Sequence, residues 1–243
     1  MAVPQIVQVA QGNTGTSTNN TVSATFANPI TPGNMILGFG AGGTIGSSQI
    51  GIISSTATFI SPPTFGSYTS GVMYAFAGIN ESQTISAAMF ASSTLMSIFV
   101  MEISGVDRVN PFDSYLTYTA VNSNNTTRSL LAAVNSPMAT RVNQLWVAAL
   151  LLGGSGTPTY KMDYLAPSAV PVDYSVIPGG SGRVIGIAVK PLDIGYISNT
   201  PLPINSSGTG INFAWGTNRP SIQIFLPING APPADGMIQT SGL

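Results

Sequence analysis

Three carboxylates, Glu102, Asp107 and Asp113, fall within twelve residues at and just beyond the end of the most apolar stretch of the chain. They are the natural candidates for acid–base work, because the 243 residues include neither His nor Cys. Without those two, a Ser–His–Asp triad, a Cys–His pair, the usual zinc ligand sets and a His- or Cys-ligated haem cannot be assembled. Two carboxylates about 5–9 Å apart in a cleft are the equipment of a glycosidase. Such a cleft also displays aromatic platforms, and only two Trp exist, Trp146 and Trp215, the first inside an apolar run. The plainer expectation is that Asp107 and Asp113 bond local backbone amides in turns and that Glu102 pairs with a nearby Arg. A calcium loop needs acidic residues at alternate positions, and Asp107-Arg108-Val109-Asn110 lacks that spacing. No catalytic residue, metal or cofactor is read from these residues.

Gly38-Phe39-Gly40-Ala41-Gly42-Gly43 satisfies the G-x-G-x-x-G spacing of a dinucleotide loop. That chemistry needs a helix next and an acidic residue roughly 20 positions on. Here Thr44-Ile45-Gly46-Ser47-Ser48 follows, without helical pattern, and the first acidic residue of the chain is Glu81. Glycines opening a loop explain the run.

Seven Lys or Arg and eight Asp or Glu leave a net charge of −1, against 44% hydrophobic residues. Disordered chains show the reverse balance, so a folded core is expected. Its surface must be wetted by Ser, Thr, Asn, Gln and backbone. Weak colloidal repulsion favours self-association, and the scarcity of cations argues against nucleic acid as a partner. The longest apolar run, Leu145–Leu152, is far short of the ~20 residues that span a bilayer, so the mean hydropathy of +0.32 reports buried strands. Met1-Ala2-Val3-Pro4-Gln5 carries no basic stretch leading into an apolar one, and no secretory signal is read.

The elements that must hold these residues are strands. Gly and Pro number 45 together, spaced so that the 10–12 residues of a typical helix are rarely uninterrupted. Short runs rich in Val, Ile, Thr, Phe and Tyr recur between turn residues. They are Ile6–Val9, Thr21–Phe26 with Val22, Ala24 and Phe26 on one face, Asn34–Gly40, Val72–Gly78, Thr84–Phe90 and Ser97–Ile103. The second half offers Asp113–Ala120, Thr127–Asn135, Gln144–Leu152, Val184–Lys190, Gly210–Trp215 and Ser221–Ile228. Ser97–Ile103 is apolar almost throughout, as a strand covered on both faces would be. The spacing predicts an all-β, antiparallel β-sandwich of jelly-roll or Greek-key type, a single unit over 1–230.

A faint echo divides that unit into two related halves, near 1–107 and 108–230. Asn28-Pro29-Ile30 with Asn34-Met35-Ile36-Leu37 parallels Ser136-Pro137-Met138 with Asn143-Gln144-Leu145-Trp146, and Ser97–Val100 parallels Ser221–Phe225. Residues 231–243 form an extended tail. A tail of this composition orders only when held, so it is expected to reach over a neighbouring subunit with Met237 and Ile238 as intersubunit anchors.

Glu102-Ile103-Ser104-Gly105-Val106-Asp107 followed by Pro111-Phe112-Asp113 resembles an E-x-S-G-V-D … P-[LF]-D signature of β-sandwich proteins from tailed bacteriophages and related bacterial genes. Thr31-Pro32-Gly33-Asn34-Met35-Ile36-Leu37 looks like the turn-then-strand segment of the same family, and Gln144-Leu145-Trp146-Val147-Ala148 like its second-half counterpart. The closing strand of such proteins often ends in an aromatic–Lys pair; here it has Phe225-Leu226 and no Lys. The resemblance implies a non-enzymatic virion component, a capsid decoration, head-fibre or tail-associated protein. Its partners would be copies of itself, in trimeric or higher cyclic symmetry, and capsid or tail proteins; it would be made in the host cytoplasm and carried in the virion. Two other readings stay open. One is a carbohydrate- or receptor-binding module, with Trp215, Tyr160 and Tyr164 stacking on a sugar ring. The other is a subunit of an extracellular filament in which Ile6–Val9 is a donated strand.

Overall fold

The computed structural model describes residues 3–15, 19–43, 51–52, 58–60, 68–93, 96–112, 117–130, 143–152, 160–164, 172–176, 184–192 and 211–232. Among these residues there is no helix, and every strand pairing is antiparallel. The antiparallel sandwich expected from the spacing is what forms. Two of its sheets have five strands along the main path, and a smaller third sheet stacks on one of them.

The first sheet has the order β1-β8-β3-β6-β5, from β1 (Gln5–Asn13), β3 (Met35–Gly43), β5 (Thr58–Ile60), β6 (Tyr68–Phe76) and β8 (Ser97–Ser104). The second is built from β9 (Thr117–Leu130), β10 (Gln144–Leu152), β11 (Tyr160–Tyr164), β12 (Val172–Val176), β13 (Val184–Leu192) and β14 (Ile211–Asn229). Its path is β11-β14-β10-β13-β12, with β9 also paired to β14. The third sheet, β2-β7-β4, uses β2 (Asn19–Thr25), β4 (Gly51–Ile52) and β7 (Thr84–Ser93).

Period-two alternation assigns each residue of the first sheet to one of two cores. Met35, Leu37 and Phe39 of β3, with Phe99, Met101 and Ile103 of β8, pack with Leu145, Val147, Ala149 and Leu151 of β10 and Ile224, Leu226 and Ile228 of β14. The intervening residues Ile36, Ile98 and Val100 turn the other way and meet Val22 and Ala24 of β2, Ile85 and Ala87 of β7, and Phe26. β8 is therefore buried along its length except at Ser104, the reason Ile98–Met101 is apolar without alternation. β2 shows the complementary pattern, with only Val22 and Ala24 buried along an otherwise exposed strand.

Several strand limits differ from the sequence reading. The glycines of 38–43 do not open a loop: they lie within β3, all paired with β6, and Gly38 and Gly40 are paired with β8 as well, Gly40 standing opposite Gly71 and Ile98. Gly210–Trp215, described from Ile211 on, and Ser221–Ile228 fall in one strand, β14, whose register shifts on either side of Arg219 absorb the Gly216–Pro220 interruption. Asp113–Ala120 and Thr127–Asn135 likewise merge into β9, both reaching past the described residues. Ile6–Val9 lies within β1 and pairs with β8 of its own sheet. β4, β5, β11 and β12 were not expected.

Candidate functional site

The resemblance-bearing segment 102–112 leaves the end of β8 and crosses to the second sheet. Glu102 is fully enclosed, and its described partners are all neutral. Its Oε1 accepts from the Thr31 backbone amide at 2.9 Å and from Asn34 Nδ2 at 2.6 Å, while Oε2 accepts from Gln8 Nε2 at 2.6 Å. The expected Arg pairing is not how this carboxylate is held; Arg108 instead lies over the Phe76 ring, 5.3 Å from its centroid. Burial alone would raise the Glu102 pKa, but the hydrogen bonds from Gln8, the Thr31 amide, Asn34 and the Thr31 hydroxyl outweigh it and hold it below the ordinary value. The residue is an ionised staple joining β1, β8 and the turn before β3.

Further along, Gly105 has φ +72, a conformation that Cβ-bearing residues avoid. A Cβ there would also lie 3.8 Å from Pro4 Cα. Val106 is buried and bridges Gly230, so the end of β8 pairs with the end of β14. The Asp107 amide donates to the Asn229 carbonyl at 2.9 Å, and the Ala231 amide to the Gly105 carbonyl at 2.8 Å. Asp107 Oδ1 accepts from the amides of Val109 and Asn110 at 2.9 and 3.1 Å, the local turn expected of it. The Pro111 carbonyl accepts from the Asn229 amide at 2.9 Å, and the Phe112 ring stands edge-on to Tyr74 at 4.9 Å.

Below this crossing lies an amide cluster with no local signature in the sequence. Gln144 Nε2 donates to Asn229 Oδ1 at 2.9 Å, Asn229 Nδ2 to the Asn110 carbonyl at 2.9 Å, and Trp146 Nε1 to Gln144 Oε1 at 3.0 Å. Spacing could not reveal it, since Gln144 and Asn229 stand 85 positions apart. Asn143 beside it is buried with φ +67, and its Nδ2 has no hydrogen-bond partner.

The three aromatic residues expected to stack on a ligand fall in one corner of the second sheet. Tyr160 of β11 is opposite Trp215 of β14, and Tyr164 is opposite Ile211. Asp113, Met237 and Ile238 lie outside the described residues. Among the described residues, no group of three or more acidic side chains converges on a point that could hold a metal ion, and no helix is long and apolar enough to cross a membrane. Comparison of the chain with family models, with curated proteins and with solved structures gives no match in any of the three.

Proposed function

We propose that this chain is a non-enzymatic structural subunit, a phage-virion component of the decoration, fibre or tail-associated kind that associates with its own copies and packs on capsid or tail. The observation that carries the reading is how the signature segment is used. Glu102 has both oxygens occupied and no surface open to solvent, Gly105 sits where the chain passes Pro4, and Asp107 closes its own turn. Residues spent in this way fix architecture. The Glu102 carboxylate, closed off from solvent, is not open to a substrate.

Composition supports the same reading. Burying an unpaired charge in an interface is costly, whereas Ser, Thr, Asn and backbone can be matched by hydrogen bonds, so a chain this poor in charge suits large neutral contacts. Sedimentation of the purified protein across a concentration series is the test. Self-association into a closed oligomer, and co-sedimentation with phage particles, is the expected result. A strict monomer at high concentration that binds no particle would overturn the proposal.

The pairing of Tyr160 with Trp215 favours a second reading, a glycan- or receptor-binding face on the second sheet. A glycan array probed with the native chain and with Trp215→Ala decides it. A binder lost in the variant supports this reading, and no binder removes it.

A further inference from the structure

The path β1-β8-β3-β6-β5 of the first sheet and, in the second, the path that starts from β9 instead of β11, β9-β14-β10-β13-β12, place their strands in the same spatial order. With β11, which pairs with Ile211–Trp215 of β14, set aside, both paths rank along the chain as first, last, second, fourth, third. One choice of strand offsets carries the ladders of the first sheet onto those of the second. Met35 opposite Ile103 becomes Leu145 opposite Ile228, and Phe39 opposite Val72 becomes Ala149 opposite Ile187. Thr58 opposite Tyr74 becomes Val172 opposite Val189, and Ala10 opposite Val100 becomes Thr117 opposite Phe225.

An offset chosen for one strand sets the other four through the ladders, and the offset that takes Met35 to Leu145 keeps the buried faces in step. Met35, Leu37, Phe39 and Ala41 map onto Leu145, Val147, Ala149 and Leu151, while Phe99, Met101 and Ile103 map onto Ile224, Leu226 and Ile228; all fourteen lie in the core shared by the two sheets. Residues opposite each other in an antiparallel ladder share a face, so bringing β3 into phase with β10 brings the other strands into phase with it. The backbone just before the paired strands agrees too. Gly33 and Asn143 are matched positions, and both have positive φ, +88 and +67.

We infer that the chain is a fused pair of copies of one five-stranded module, facing each other across a pseudo-two-fold axis beside Val106 and Gly230. At that point the module ends pair antiparallel with each other, Gly105 with Ala231 and Val106 with Gly230. The correspondence sends Gly105 to Gly230 and Val106 to Ala231, so a half-turn exchanges the two pairs. Pro4 and Ala231 both lie against Gly105, so the start of the first module sits where the end of the second arrives. In this correspondence Met35 matches Leu145, one residue on from the sequence echo, and Ile103 matches Ile228. The third sheet, β2-β7-β4, is an addition carried on the outer face of the first module.

Two measurements test this. An experimental structure of the full chain is superposed with Met35 on Leu145, Ile103 on Ile228, Val72 on Ile187 and Thr58 on Val172. The expected operation is close to a half-turn, with this register giving the best fit. A circular permutant, running from Thr117 to Pro232, through a short Gly/Ser linker, and on from Val3 to Phe112, presents the same two modules in exchanged order. It is expected to keep the β-rich far-UV spectrum and to melt within about 5 °C of the parent. A best fit that slides by a residue, a rotation far from a half-turn, or a permutant that does not fold would each overturn the inference.

Discussion

Gln8 and Glu102 stand 94 positions apart in the chain and meet at 2.6 Å, an amide donating to a carboxylate closed off from solvent. With Thr31 and Asn34 on the other oxygen, the carboxylate gathers three separate stretches of chain at the end of the first sheet. Glu102→Ala removes the common acceptor and leaves buried donors aimed at a void. A loss of about 2–4 kcal/mol in urea-unfolding free energy is expected, with Glu102→Gln recovering only part of it.

Acid should act through the same group. Its folded pKa lies below its unfolded one, so the stability it contributes is complete above the unfolded value, about 4.3, and is lost as pH falls through that value to the folded one. Melting followed from neutral pH downward should show a fall in this window, smaller in Glu102→Gln. A parent and variant that lose stability in parallel would assign the effect to other carboxylates.

Phe99 belongs to the core between the two large sheets and is 2% exposed. Phe99→Ala should cost about 3–5 kcal/mol. Val7, half exposed at the register shift of β1, is the control: Val7→Thr should stay within about 0.5 kcal/mol of the parent.

Gly12 tests the contact between β1 and β2. A Cβ there would fall 1.9 Å from the Ser23 carbonyl oxygen, and backbone cannot swing aside as a side chain can. Gly12→Ala should destabilise by more than about 2 kcal/mol, whereas Gly15→Ala, with open space but φ +58, should cost about 1 kcal/mol.

Asn143 combines a positive φ with a buried Nδ2 that bonds nothing. Asn143→Gly removes both burdens, while Asn143→Ala keeps the backbone one. Chemical unfolding should rank Gly above Ala by about 1 kcal/mol. The opposite order would mean that the side chain holds the turn in a way these contacts do not express.

The strands whose burial is written in their own composition were legible. β8 declares itself by an apolar run with no alternation, and β2 by Val22, Ala24 and Phe26 at alternate positions. Gln144–Leu152, with as much Ala and Leu as a helix would want, became a strand because β13 and β14 flank it on both sides. β14 was read as two pieces because Gly216 and Pro220 usually end strands, and the register shifts that carry it past them leave no local trace. At the candidate site, Asp107 was readable since its acceptors' partners are its own neighbours. The partners of Glu102 come from β1 and the turn before β3, and no spacing rule connects them.

The place of β8 also sets a timetable for synthesis. β1 and β3 both pair with it, yet it is the last strand of the first sheet to be made. Until about residue 104 has cleared the ribosome, the nascent chain holds β1 without its ladder partner, with Ile6 and Val9 exposed and the carboxylate clamp unmade. β14 imposes the same wait on β9 and β10. Long-range pairing of this kind is slow and leaves sticky edges open meanwhile. Few charges guard those edges, so a chaperone that shields the first hundred residues should raise soluble yield more than any change made to the finished surface.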